Sequence, residues 1–282
     1  MIRFVINRQI FVGLFLLLLI LFSSCGYVYI ITPKNDRLVF LSVGQGDATL
    51  FESVDGQRVL IDGGPDDSAY QKLNQYIPWW DRRLNALVIT HSHADHIQGL
   101  DKIISNFQIE NLYMSKDVEV NPMLEKEIHM AKEKHVAIWL LNDDYQLNLK
   151  SGVYIRLLID NEQQQSNEQS IVAVLHDNGV EAIFLADIGA DQEARLINKL
   201  PNFRPSLIKI GHHGSDLGTS EVMLEKWQPK EAVISVGRNN SFGHPSHRVL
   251  KRLERYNIPV KRTDESGDVI YELMDKRWVL EK

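Results

Sequence analysis

The sequence predicts an α/β protein in which two mixed β-sheets pack face to face with helices on the outside. Three observations predict it. Short apolar runs come first and are separated by glycine turns, later runs alternate with stretches of helical periodicity, and one strand after another ends in polar residues. In such an architecture the strand ends gather along one edge, so a site there is assembled from loops far apart in the chain.

The first segment stands apart from that pattern. Arg3 and Arg8 precede an apolar run from Ile10 to Ile31, interrupted by Gly13, Ser23, Ser24, Cys25 and Gly26. A run of that length is enough to cross a bilayer. Arginines before it favour a cytoplasmic N-terminus, with the remainder outside the cytoplasm. Residues 1–32 are therefore expected to be a signal peptide or a hydrophobic transmembrane helix that precedes the folded part, residues 37–282. Cys25 follows Leu21-Phe22-Ser23-Ser24, which resembles a lipobox with Phe22 in place of the usual aliphatic residue. Three outcomes stay open: a lipoprotein modified at Cys25, an uncleaved membrane anchor, or a secreted protein after ordinary cleavage. Cys25 is the only cysteine, so the folded part holds no disulfide and any metal site there must use histidine and carboxylate ligands.

The chain carries a net charge of −6. Residues 1–32 contain two Arg and no acid, which leaves 29 basic against 37 acidic residues, a net −8, for the remainder. That balance excludes a globally basic nucleic-acid binder, although not a local basic patch.

After Pro33 the elements follow in order. Leu38 to Val43 reads as a strand, Gly44-Gln45-Gly46-Asp47 as a turn, and Ala48 to Phe51 as the next strand. Val59 to Ile61 ends in Asp62-Gly63-Gly64-Pro65, and Ala86 to Thr90 is a further apolar strand. From Ile97 to Phe107 the spacing is that of an amphipathic helix, and Met123 to Lys134 predicts a second. Val136 to Leu141 is a strand. Ile171 to Leu175 and Val180 to Ala186 form a hairpin around Asn178-Gly179. A helix over Asp191 to Leu200 and a strand over Leu207 to Ile210 follow. The last third alternates strand Ala232 to Val236, helix Ser246 to Tyr256, and closing strands near Val269 to Leu273 and Trp278 to Leu280.

The chemistry concentrates in His91-Ser92-His93-Ala94-Asp95-His96, between a strand and a helix. Histidines two apart cannot share a helix face, but in an extended turn both rings can converge on one ion. Three imidazoles and a carboxylate match the preferences of Zn²⁺ and related divalent ions. Asp187 ends another apolar strand, and one carboxylate can bridge two metals, although in isolation it fits a helix cap equally well. His212 and His213 end a third strand between glycines, which let the backbone approach a ligand.

These residues, with Asp62, Asp187 and His212 in that order, resemble the motifs of the metallo-β-lactamase superfamily. Within it, Val43-Gly44-Gln45-Gly46-Asp47, His212-His213-Gly214-Ser215 and Asn239-Asn240-Ser241-Phe242-Gly243-His244-Pro245 are similar to the hydrolase domain of the competence protein ComEC and its stand-alone relatives, as is Arg262-Thr263-Asp264 with Gly267. The resemblance covers roughly residues 37 to 275. It implies a four-layer αβ/βα sandwich and two divalent metal ions, Zn or Mn. His91 and His93 would hold the first ion, Asp95, His96 and His212 the second, and Asp187 would bridge them. His213 is the fallback ligand and otherwise contacts substrate with Ser215. Asp62 would orient a histidine from behind, and Asp47 would give similar support.

Two departures bear on the site. The superfamily usually supplies a third histidine to the first metal from the segment before the hairpin, where this chain has Ser166-Asn167-Glu168-Gln169-Ser170. His129, His135 and His176 do not fill the gap, so the first site is expected to be weak, with Asn167 or Ser170 contributing through oxygen or water. Ser42 stands where the family commonly has Asp.

The resemblance further implies hydrolysis by a metal-activated hydroxide, with Asp95 or Asp187 orienting the water and accepting its proton. His244 would donate a proton or contact phosphate, and Asn240 would donate a hydrogen bond to substrate. The favoured activity is that of an extracytoplasmic phosphodiesterase or nuclease acting on a phosphodiester, with nucleic acid such as DNA as the leading candidate, for which Arg248, Lys251, Arg252, Arg255, Lys261 and Arg262 form a candidate basic footprint. Two alternatives differ from it: a hydrolase of cell-envelope phosphoesters or esters, and a non-catalytic metal-binding module linked to DNA uptake.

Overall fold

The computed structural model of the protein describes residues 13–19, 33–160 and 170–281. Residues 13–19 are helical (α1) with exposed leucines, and among the described residues no helix is long and apolar enough to cross a membrane. The rest of the expected anchor, Cys25 and Asn167 lie outside the described residues.

From residue 33 onward the described elements form an αβ/βα sandwich. One sheet has the order β15-β14-β1-β2-β3-β4-β5-β6 and the other β13-β12-β11-β10-β9-β8-β7. The first comprises β1 (Arg37–Phe40), β2 (Thr49–Glu52), β3 (Arg58–Ile61), β4 (Arg83–Val88), β5 (Gln108–Ser115), β6 (Ala137–Leu141), β14 (Val269–Met274) and β15 (Arg277–Leu280). The second comprises β7 (Tyr145–Asn148), β8 (Tyr154–Leu158), β9 (Val172–Asp177), β10 (Val180–Phe184), β11 (Leu207–Lys209), β12 (Glu231–Ile234) and β13 (Val260–Arg262). Pairing is parallel from β3 to β6 and from β10 to β13, and antiparallel elsewhere.

Period-two alternation builds the layers. On β1, Leu38 and Phe40 face the opposite sheet while Val39 faces the helices. The central layer joins Phe51, Val59, Ile61 and Val88 to Ile155, Leu157, Leu175 and Phe184, with Phe40 and Phe184 at 6.0 Å between ring centroids. Outside the first sheet pack α2 (Ser68–Tyr76), α3 (Ala94–Ile97), α4 (Leu100–Asn106) and α5 (Pro122–Glu133). Outside the second lie α6 (Ala190–Lys199), α7 (Glu221–Trp227) and α8 (His247–Arg255), while α9 (Thr263–Ser266) joins β13 to β14. Because strands inside such a sandwich bury both faces, they read as continuous apolar runs.

The structure departs from the sequence reading in several places, and it adds β5, β13, α2 and α9, which the sequence reading lacked. The helix expected from Ile97 to Phe107 is two helices, broken at Gly99, where a Cβ would collide with the carbonyls of Gly63 and Asp66. The β7–β8 hairpin escaped the sequence reading: exposed Gln146 and Asn148 interrupt β7, and the half-buried Arg156 interrupts β8. Helix α7 is short and is capped by Ser220, whose side chain accepts from the Met223 amide.

Candidate metal centre

Three strand ends deliver the site. The chain leaves β4 through Ile89 and Thr90 into His91; β10 runs out through Leu185 and Ala186 to Asp187; β11 leads through Ile210 and Gly211 to His212 and His213. Asp62, Ala186, His212 and His213 all have positive φ, between 49° and 60°. That conformation costs a non-glycine residue on the order of 1–3 kcal/mol and concentrates where the fold must aim side chains.

Two groups of ligand atoms share Asp187, and a third, Asp47, Asp62 and His96, overlaps at His96. Of the two that share Asp187, His91, His93 and Asp187 form one, and Asp95, His96, Asp187 and His213 form the other; within each, the atoms lie within 4.8 Å of one another. Asp187 stands between them, its Oδ2 3.7 Å from His91 Nε2 and its Oδ1 3.4 Å from His96 Nε2. His91 Nε2, His96 Nε2 and Asp187 Oδ1 are buried and lack a hydrogen-bond partner among the described residues. Three unsatisfied polar atoms aimed at one another are costly unless something between them binds all three. A pair of divalent cations meets that need, and nitrogen and oxygen donors of this kind suit Zn²⁺ or Mn²⁺.

Supporting contacts fix the rings. Asp62 accepts from the Thr90 amide at 2.9 Å and the Thr90 hydroxyl at 2.7 Å, and lies 2.8 Å from His96 Nδ1, leaving Nε2 to face the site. His213 Nδ1 lies 3.0 Å from the Ser235 carbonyl, and its Nε2 is 3.1 Å from Asp95 Oδ2. Asp47 sits behind His213, with Oδ1 3.4 Å from Nδ1, and forms a buried ion pair with Lys209. The turn that carries Asp47 is pressed against the histidine cluster. Asp47 N donates to Asp95 O at 3.1 Å, and a Cβ on Gly46 would strike that same carbonyl.

The electrostatics follow the geometry. Burial alone would lower His96, but Asp187 and Asp62 override it and hold the imidazole well above its ordinary range. His213 is likewise opposed by burial, yet Asp47 and Asp95 push it up to about 9. His91, where burial acts with the neighbouring His96, falls well below its ordinary value. Burial would raise Asp187, but His96 and the other imidazoles hold it well below the carboxylate range. The carboxylates thus draw positive charge to His96 and His213, while burial and His96 disfavour it on His91.

Several sequence expectations land differently. His212, the preferred ligand, is 37% exposed in its side chain and 3.9 Å from Asp187, at the rim, whereas His213 joins the ligand group. Consecutive left-handed residues turn the two rings apart, with 82° between their planes. Ser215, expected to contact substrate, is buried in the turn, where its amide donates to His212 O and its hydroxyl accepts from Leu217 N. Asn240 commits its amide to its own loop: Nδ2 donates to the Gly237 and His244 carbonyls, and Oδ1 accepts from the Phe242 and His244 amides. His244 stays at the rim, 6.0 Å from His212 between ring centroids. Ser170 is buried, its hydroxyl without a partner among the described residues, and the next residue's amide donates to Thr90 O, directly before His91.

The basic footprint is largely neutralised. Arg248 pairs with Asp216, Lys251 with Glu254, Arg255 with Glu221, and Arg262 with Asp264, while Arg252 donates to the carbonyls of Gly218 and Thr219. Lys209, Thr90 and Ser235 escaped the sequence reading. Only Lys209 left a trace, as a lone cation within the apolar stretch Leu207 to Ile210.

Known proteins resemble this chain in sequence and in fold. The chain is 29% identical over 269 residues to ComE operon protein 3 of Bacillus subtilis (strain 168), covering 87% of this chain and 34% of that protein. It is 26% identical to competence protein ComA of Neisseria gonorrhoeae, over 83% of this chain and 32% of that one. It therefore spans about a third of the length of these relatives. Among solved structures, the metallo-β-lactamase fold protein YhfI from Bacillus subtilis superposes with a TM-score of 0.58 at 14% identity, covering 84% of this chain and 99% of that one. The family model of the metallo-β-lactamase superfamily matches residues 41–238, and with that match, the two-sheet sandwich and the histidine–aspartate centre, the chain belongs to the metallo-β-lactamase superfamily.

Proposed function

We propose that the protein is a metal-dependent phosphodiesterase of the cell envelope, with a nucleic-acid strand as its substrate. The observation that carries this reading is the buried set of His91 Nε2, His96 Nε2 and Asp187 Oδ1, unsatisfied and facing one another. His91, His93 and Asp187 would hold one divalent ion; Asp95, His96, His213 and Asp187 would hold the other. Once bound, such a pair lowers the pKa of water and stabilises both oxygens of an in-line phosphoryl displacement.

The chain's own groups complete the chemistry. Asp95 is a third exposed and lies against His213, where its carboxylate can orient water and take up a proton. Asp62 and Asp47 keep His96 and His213 from turning away. Burial, with His212 and His213 nearby, holds His244 below its ordinary range, so a neutral ring faces the substrate and donates a hydrogen bond to a phosphoryl oxygen.

The choice of a phosphodiester draws on the names of the competence-protein relatives, and the envelope location draws on the apolar run after Arg3 and Arg8. The experiment is hydrolysis of bis(p-nitrophenyl) phosphate by the full-length chain with Zn²⁺ or Mn²⁺. Turnover that falls at least about 100-fold in His91→Ala and Asp95→Ala supports the reading. Turnover only of carboxylic esters, or metal binding without any turnover, rejects it.

A further inference from the structure

Phe242 is 68% exposed beside the metal centre, on a loop that is otherwise tightly braced. Asn240 bonds the loop from inside, Gly237 N donates to Gln45 Oε1 at 3.1 Å in the turn before Asp47, and Ser246 N donates to Gly214 O at 2.8 Å. The ring is thus held out into solvent by a loop anchored to two of the segments that carry the site. It stacks on His244 with centroids 6.0 Å apart and planes 17° from parallel. His244 in turn meets His212 at 6.0 Å, and His212 Nε2 is 3.9 Å from Asp187 Oδ2. Two ring contacts therefore separate His212, beside the Asp187 carboxylate, from an open aromatic face.

Charge makes that face informative. The cations of α8 are spent on Asp216, Glu254, Glu221 and backbone carbonyls, and the chain is acidic overall. A strand held at this edge gains little from neutralising phosphates along α8, which is the usual source of affinity. Stacking is the other source, and it tolerates any sequence because every base offers a π-face.

We infer that Phe242, backed by His244, is a stacking platform for a nucleobase of a single-stranded nucleic acid whose phosphodiester lies at the metal centre. The inference rests on the phosphodiesterase reading and narrows it to a strand with unpaired bases. The test is fluorescence anisotropy with the full-length chain and Mn²⁺, using a labelled five-residue oligothymidylate with phosphorothioate linkages and the same backbone with abasic sugars. The expected result is that wild type prefers the base-bearing oligomer about tenfold, Phe242→Ala abolishes the preference, and Phe242→Trp restores it. Phe242→Ala should melt with wild type, since the ring is exposed. Equal binding of both oligomers by wild type, or an equal loss of both in Phe242→Ala, overturns the platform. Turnover of bis(p-nitrophenyl) phosphate is read separately. A base preference without turnover sinks the enzyme reading alone, and turnover without a base preference sinks the platform alone.

Discussion

His213 Nε2 lies 3.1 Å from Asp95 Oδ2, although 118 residues separate them in sequence. The contact joins the turn after β4 to the turn after β11 and so ties one sheet to the other at the metal centre. Asp47 braces it from behind, and Lys209 braces Asp47.

His213 and His212 should therefore separate in a metal count. His213→Ala is expected to lose one of two bound divalent ions and at least about 100-fold in turnover. His212→Ala should keep both ions and lose about tenfold or less. Elemental analysis of dialysed protein checks this, and loss of an ion from His212→Ala instead would reverse the assignment.

Lys209 and Asp47 form an ion pair in which each side chain is less than a tenth exposed. Removing one partner strands the other charge, so Lys209→Met should cost about 3 kcal/mol of folding stability. The double variant Lys209→Met/Asp47→Asn should recover much of that cost. Urea denaturation midpoints measure both, and an unchanged midpoint in Lys209→Met would show that the pair contributes nothing.

Gly46→Ala tests the turn that presses on the histidine cluster. The added methyl would strike the Asp95 carbonyl, so the turn must retreat and carry Asp47 and Asp95 with it. Metal affinity should weaken about 10- to 100-fold while the fold survives. Isothermal titration with Mn²⁺ reads the affinity, and circular dichroism reads the fold.

A pH dependence is expected at the end of β9 remote from the metal centre. Burial and the neighbouring Asp36 carboxylate push the Asp177 carboxyl up from 3.8 to about 7. A raised carboxyl favours its protonated form in the folded state. Its stabilising contribution is complete below about pH 4 and is lost as pH climbs towards 7. Asp177→Asn should match wild type in melting temperature near pH 4 and gain on it steadily up to pH 7. A difference that stays constant with pH would contradict this.

Much of the site is legible in the residues themselves. His91, His93, Asp95 and His96 share one turn, which can be read without coordinates, whereas Asp187, at the end of an apolar run, joins them only through the family resemblance. The choice between His212 and His213 cannot be read in either way. It depends on two successive left-handed residues, whose backbone angles leave no compositional mark. Asn240 misled because a polar side chain in a glycine-rich loop serves either substrate or loop, and only its four hydrogen bonds show which. The basic residues of α8 misled for a related reason. The partners of Arg248 and Arg255, Asp216 and Glu221, lie more than thirty residues away.

The sharing of Asp187 between two cations is tested most directly by anomalous diffraction from crystals of the protein grown with Mn²⁺. The arrangement predicts two peaks flanking the Asp187 carboxylate, about 3.5–4 Å apart, one beside His91 and His93 and the other beside Asp95, His96 and His213. A map with no peak within ligand distance of Asp187 would contradict it.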